Sequence, residues 1–369
     1  MSRLVVERRP RPSRWLSWAA PPLALLATLL AGALLFGLSG HDPLAALRAW
    51  FVSPLASLYG LGELGVKATP LVLVGTGLAL GFRAGVWNIG AEGQLTVGAI
   101  AAGLVALATW GTEGAWIFPA MLAAGVLGGM AWAAVPAELR VRLGVNEILV
   151  SLMLVYVADL LLKALVFGPL KDPEGYGFPQ SRLFDTPALA PILVPGTRLH
   201  LGALLALAAV LLAWAFTART LGGFAWRVQG LAPRAARYAG FAEGRIVRLS
   251  FAVSGGLAGL AGALEVAGPI GQLLPSVSPG YGFTAIIVAF LGRLHPAGVL
   301  VAALVVALAY IGGENAQIEA GLPEAVTGVF QGLLLFFLLA AEFLVHYRIR
   351  RRGPAAAPRT SASSAETAA

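Results

Sequence analysis

The chain of 369 residues has no cysteine, which excludes a disulfide framework, a thiolate metal site and a cysteine nucleophile. Its four histidines, His41, His200, His295 and His346, are scattered and lack the spacing that would seat a metal. Charge is scarce as well: 12% of the residues are charged, against about 25% in a soluble globular protein. The three lysines follow Val66, Leu162 and Leu170, so a Gly-Lys-Ser/Thr phosphate loop is absent. The run Gly60, Gly62, Gly65 matches G-x-G-x-x-G, but no strand precedes it and no βαβ unit surrounds it, so it is not a dinucleotide fingerprint.

What the chain has is apolar surface: 58% of residues are apolar and the mean hydropathy is +0.80. One water-soluble core cannot hide that much, so the chain is expected in lipid, as one membrane domain. A transmembrane helix needs about 20 mostly apolar residues. About ten candidates lie near 17–38, 64–82, 93–111, 115–136, 147–167, 199–216, 248–267, 283–292, 297–312 and 324–345. The eighth is too short to span unless it starts inside the bilayer. The first follows five arginines without a clear small-residue cleavage site, so it reads as a retained helix.

The net charge is +8, yet the basic residues fall between apolar runs and at the termini rather than on one patch, which argues against nucleic acid as a partner. Cytoplasmic loops carry the excess of Lys and Arg. Arg3, Arg8, Arg9, Arg11 and Arg14 precede the first span, and Arg348, Arg350, Arg351 and Arg352 follow the last. Both termini are therefore expected in the cytoplasm, which requires an even number of spans. With Arg140, Arg142, the six arginines of 217–248, and Arg83, Arg293 and Arg359, 20 of the 26 Lys and Arg fall on that side. The expected organisation is a basic N-terminus over 1–16, a membrane domain over 17–347, and a basic tail over 348–369 whose Ala/Ser/Pro/Thr-rich part is disordered. On the outer side, six prolines in the loop 168–198 exclude a helix and favour an extended, ordered cover.

Three segments stand out. Residues 81–94 set Arg83, Asn88, Glu92 and Gln94 among glycines at a membrane boundary, where irregular polar backbone persists only if protein or a water-filled cavity satisfies it. They are either part of a translocation pathway or its gate, or a tight loop with Arg83 and Glu92 paired. Residues 217–248 contain Pro233 at a first helical turn, a short run with Arg234 and Arg237 on one face, and a closing Gly240. That is one small helix, either lying on lipid headgroups or docking on a protein. Gly255 and Gly259, and Gly77, Gly81 and Gly85, are spaced four apart, a helix-packing pattern in lipid.

Among ionisable groups within spans, Asp159 and Lys163 sit one turn apart and read as a structural pair. Asn146 and Glu147 fit an N-cap and a first-turn acid, with a gate contact as the other reading. Glu265, Glu314 and Asn315 lie near outer ends of spans, where they could meet solute. A secondary transporter would want paired acids at the midplane, and Asp159 already has Lys163. An intramembrane enzyme lacks its nucleophiles and metal ligands.

The run 82–94, Val145 to Ser151, Ala235 to Gly240, Gly280 to Ile286 and Leu291 to Pro296 together resemble bacterial ABC importer permeases of the nucleoside and simple-sugar branch, related to branched-chain amino acid permeases. Trp87 stands where Phe or Leu is usual in that family, and His295 where Asn is common. The resemblance implies an all-α integral membrane protein of about ten helices, similar to type II importer permeases. It implies a translocation pathway for nucleosides, with simple sugars as the alternative and branched-chain amino acids or ion-coupled transport behind. It further implies a second permease subunit, identical or homologous, two cytoplasmic ABC ATPase subunits and an extracytoplasmic solute-binding protein, in the bacterial plasma membrane. ATP is then used by the partner ATPase, and this chain needs no cofactor or metal of its own. The ATPase-coupling helix maps onto Pro233, Arg234, Ala235, Ala236, Arg237, Tyr238, Ala239 and Gly240. Pathway or gate candidates are Arg83, Trp87, Asn88, Glu92, Gln94, Asn146 and Glu147.

Overall fold

The computed structural model describes residues 3–8 and 14–352. Helices run in the order α1 (Arg14–Leu38), α2 (Pro43–Phe51), α3 (Leu58–Arg83), α4 (Ala91–Ala108), α5 (Ile117–Leu143), α6 (Glu147–Phe167), α7 (Gly202–Arg219), α8 (Leu221–Leu231), α9 (Pro233–Tyr238), α10 (Glu243–Glu265), α11 (Tyr281–Leu291), α12 (Pro296–Ala320) and α13 (Glu324–His346). Each of the ten expected spans falls on one of them. Among the described residues, seven helices are long and apolar enough to cross a membrane: α3 to α7, α10 with the π turn that continues it, and α12. The apolar stretches of α1, α11 and α13 are shorter in the described residues. At 11 residues, α11 covers only about 16 Å of a roughly 30 Å hydrocarbon layer.

Two features were not expected from the sequence. Strand β1 (Arg3–Arg8) pairs antiparallel with β2 (Tyr347–Arg352), Arg3 opposite Arg352. Because α1 and α13 lie side by side, they bring two short segments together whose backbone groups can satisfy one another. The expected disorder beyond 352 lies outside the described residues. Helix α2 was not expected at all. Asp42 caps it by accepting from the Leu44 N–H at 2.9 Å, Pro43 opens it, and Trp50 enters an aromatic cluster with Phe36 and Phe330.

Helices α3 and α10 run through the centre, with α4 and α5 packed against α10 through glycine. A methyl group on Gly255 or Gly259 of α10 would collide with the backbone of Gly129 or Gly125 on α5, and one on Gly98 of α4 would strike Gly259. Gly77 of α3 lies as closely against Ser254, so the small-residue spacing is helix packing, as expected. Gly81 and Gly85 instead belong to the turn that ends α3, where Gly85 takes φ +74°. Helices α6 and α7 are peripheral: only 22% of each apolar window is buried.

The proline-rich segment is the ordered cover that its composition predicts. Ser181, Phe184 and Ala190 donate backbone N–H groups to Leu273, Gly271 and Ala267, across the π turn 266–270 and the chain that follows it. Arg198 anchors the cover to α3 with a two-pronged bond to Glu63 (2.8 and 2.5 Å), which holds the guanidinium pKa above its ordinary value. The neighbouring His200 is buried, and its Nδ1 accepts from the Gly202 N–H at 3.1 Å. Glu314 is paired with Lys67 at 2.8 Å yet stays exposed, as expected of a group that could meet solute, whereas Glu265 is buried and closed to solute in this conformation.

Candidate functional site

The site starts where α3 stops. Gly85 turns the chain, and residues 86–90 lead without regular secondary structure to the start of α4. The Trp87 N–H reaches Glu147 Oε1 (3.4 Å) and the Ile89 N–H reaches Ser151 Oγ (3.3 Å), both on α6. Glu147 is itself gripped by Arg140, and Asn146 caps α6 through the Ile148 N–H at 2.9 Å. Gly90 lies against the Ser151 backbone, where a side chain would collide.

The pathway candidates divide into two groups. Asn88 and Gln94 turn inward, 2% and 1% exposed, and exchange a pair of amide hydrogen bonds at 2.8 and 3.0 Å. Asn88 also donates to Ser254 Oγ on α10 (2.8 Å) and accepts from the Gly90 N–H. These two amides hold the segment to α10; they do not line open space. Asn146 and Glu147 serve the α5–α6 corner. Arg83 and Glu92 do not pair, so the purely structural reading of this segment loses its ion pair. Arg83 keeps a buried Nη1 without a hydrogen-bond partner, and Glu92 accepts from the Gly282 N–H of α11 at 2.5 Å.

Trp87 and Glu92 face the open. Glu92 lies in a cleft of about 210 Å³ with Thr96 of α4, Tyr156 and Asp159 of α6, Ser276 of the preceding loop and Phe283 of α11. Trp87 stacks on Phe290 (5.9 Å) and packs on Phe82 (5.1 Å), with Trp87 41% exposed and Phe290 36% exposed. Phe283 and Phe290 are seven residues apart and share a face of α11. The cleft and the aromatic patch therefore both border α11, two turns apart. Asp159 and Lys163 form the expected pair at 2.8 Å, but on an open face. Sequence reading missed Phe290 and Ser276; the i, i+7 phenylalanines are the signal that could have found the aromatic side.

The basic segment 217–248 holds two helices rather than one, because Thr220 caps α8 through the Gly223 N–H (3.0 Å). Helix α9 starts at Pro233 and ends before Gly240, whose φ is +80°, as expected. Only Ala236 of α9 is buried; Arg234, Arg237 and Tyr238 project outward, Tyr238 at 95% exposure.

Residues 60–339 match the family model for the branched-chain amino acid transport system permease component. The chain belongs to this family. The permease is 38% identical to the glucose ABC transporter permease of Haloferax volcanii over 93% of its length and 92% of that protein. It is 31% identical to the guanosine ABC transporter permease of Bacillus subtilis, covering 90% and 97%, and 28% identical to the nucleoside ABC transporter permease of Lactococcus lactis, covering 88% and 91%. A solved inward-facing structure described as a metal-chelate type ABC transporter covers 85% of the permease and 98% of its own chain at 16% identity and a TM-score of 0.47.

The chain is thus a multi-pass ABC transporter permease. Its amide ring is a structural element with a measurable contribution. Asn88→Ala strands Gln94, Ser254 and the Gly90 N–H, and is expected to cost about 2–3 kcal/mol. Thermal unfolding of the purified permease checks it; an unchanged midpoint would show that the ring holds nothing.

Proposed function

We propose that the permease forms the inward pathway for a nucleoside in an ATP-driven importer. The observation that supports this is the half-exposed Trp87–Phe290 stack two turns along α11 from the polar cleft at Glu92, a surface suited to a solute with a planar ring and a hydroxylated part. In this reading about ten helices cross the plasma membrane, with both termini and α9 in the cytoplasm. The permease pairs with a second, similar subunit, receives solute from an extracytoplasmic binding protein, and takes motion from two ATPase subunits seated on Pro233 to Gly240. It needs no cofactor itself, since ATP is consumed in the ATPases. ATP drives the change of access through its differential affinity for the two states. Arg83, with its buried unpartnered Nη1, stays a gate candidate beside Trp87 and Glu92. Simple-sugar transport is the second reading, favoured by the 38% identity to a glucose permease.

The test is ATP-dependent uptake of radiolabelled guanosine, uridine, ribose and glucose into vesicles holding the complete transporter. Nucleoside uptake that ribose and glucose do not compete away is expected. Trp87→Ala should then raise the KM for guanosine about tenfold, the worth of one stacked base. Uptake of sugars alone overturns the nucleoside assignment, and ATP-independent uptake on an ion gradient overturns the importer.

A further inference from the structure

Asp159 and Lys163 are 45% and 46% exposed in the interior of α6, a 21-residue apolar helix. A charge at that depth is costly against lipid and is found facing a cavity or another protein surface. Two ion pairs join distant parts of the chain, Glu63 to Arg198 and Lys67 to Glu314, while the other one-turn pair, Glu138 to Arg142, sits at the C-terminal end of α5 rather than in a helix interior. The pair on α6 joins nothing, since its members lie one turn apart on the same helix, and such pairs stabilise a helix only slightly. Its position calls for another reason.

Asp159 lines the cleft that Glu92 enters from α4. Two elements start there part-way along the bundle. Helix α4 begins at Ala91 after the segment 86–90, and α11 begins at Tyr281 after the loop 271–280. Broken elements at membrane depth are tolerated where they line a cavity. The Glu92 carboxylate spans both helix starts, accepting from the Gly282 N–H, which fixes its direction. The cleft thus offers two carboxylates, the Ser276 hydroxyl and the side chains of Tyr156 and Phe283, with the Lys163 ammonium bonded to Asp159.

We propose that this cleft is a solute subsite for vicinal hydroxyl groups, the chemistry that a ribose and a hexose share. The inference rests on the reading of the chain as a nucleoside or sugar permease, and adds to it the residues that hold the hydroxylated part. A carboxylate oxygen pair accepts two neighbouring O–H groups, the ammonium donates to a third oxygen, and the aromatic side chains cover the C–H side of the ring. A planar base attached to the sugar then points along α11 toward Phe290 and Trp87.

The absence of cysteine makes the test direct, because Ser276→Cys is the only thiol on this chain. In vesicles with the complete transporter, that thiol is expected to react with a charged methanethiosulfonate reagent, read as a mass shift of this chain. Saturating guanosine or D-glucose, whichever the vesicles take up, should slow the reaction. Asp159→Asn should raise the KM for guanosine about tenfold and leave that for 2′,3′-dideoxyguanosine unchanged, a split that a structural ion pair would not produce. Uptake with a thiol that stays unreactive, as a face covered by lipid or by the second permease would be, overturns the subsite alone. So does a reactive thiol that the transported solute does not protect. D-glucose uptake with protection by D-glucose, and no guanosine uptake, keeps the subsite and overturns the nucleoside reading. Vesicles that carry neither solute overturn the reading and the subsite with it.

Discussion

Gly259→Leu is expected to abolish the folded permease. The hydrogen of Gly259 is the only side chain that fits where α10 meets α5 and α4 at once. A Cβ there would collide with the Gly125 carbonyl and stand 3.0 Å from the Gly129 Cα, while Gly98 of α4 packs on the Gly259 backbone from another side. The obstacles are backbone, which cannot swing aside as the end of a flexible side chain can. Overpacking in a core typically costs 1–3 kcal/mol; here whole helices must separate, so about 4 kcal/mol or more is expected. No hydrophobic force would then pull the helices back together, because in lipid their close approach is itself the main attraction. Size-exclusion chromatography in detergent should show aggregate in place of a single peak. A monodisperse Gly259→Leu protein with an unchanged melting midpoint would refute this packing.

The second large effect is on coupling. Arg237→Glu should leave the permease inserted and stable, because Arg237 is exposed and its nearest acid, Glu243, is 3.5 Å away in a solvated pair. Reversing its charge on a docking surface sets like against like, a change of several kcal/mol for a partner built to meet a cation. Solute-stimulated ATP hydrolysis by the assembled transporter is therefore expected to fall at least about tenfold, with the melting midpoint unmoved. Retained stimulation would remove α9 from the ATPase contact and favour its seat on lipid headgroups.

Most of the fold was legible because its signals are local. Each of the ten apolar runs falls on a helix, and seven of those helices, among the described residues, are long and apolar enough to cross a membrane. Pro233 and Gly240 bounded α9 closely, since one fixes φ at a helix start and the other accepts a positive φ at its end. Helices α2 and α8, of 9 and 11 residues, escaped because arginine, glutamine and glycine interrupt their apolar runs, whereas α11, as short as α8, is apolar almost throughout. The β1–β2 ribbon escaped because it depends on two helices meeting at opposite ends of the chain.

For the site, composition alone singled out residues 81–94, and no local signal could sort them. Asn88 and Glu92 are both polar residues among glycines, yet one binds Ser254 from 166 positions away and the other binds Gly282 from 190. The sequence by itself determined the apolar helical segments of a membrane protein and the short basic helix, because each follows from side-chain type and spacing along the chain. Only the tertiary structure decided that Asn88 and Gln94 are buried ties while Trp87, Glu92 and Asp159 face open space. That distinction depends on which distant helices pack around them, and spacing along the chain carries no record of it.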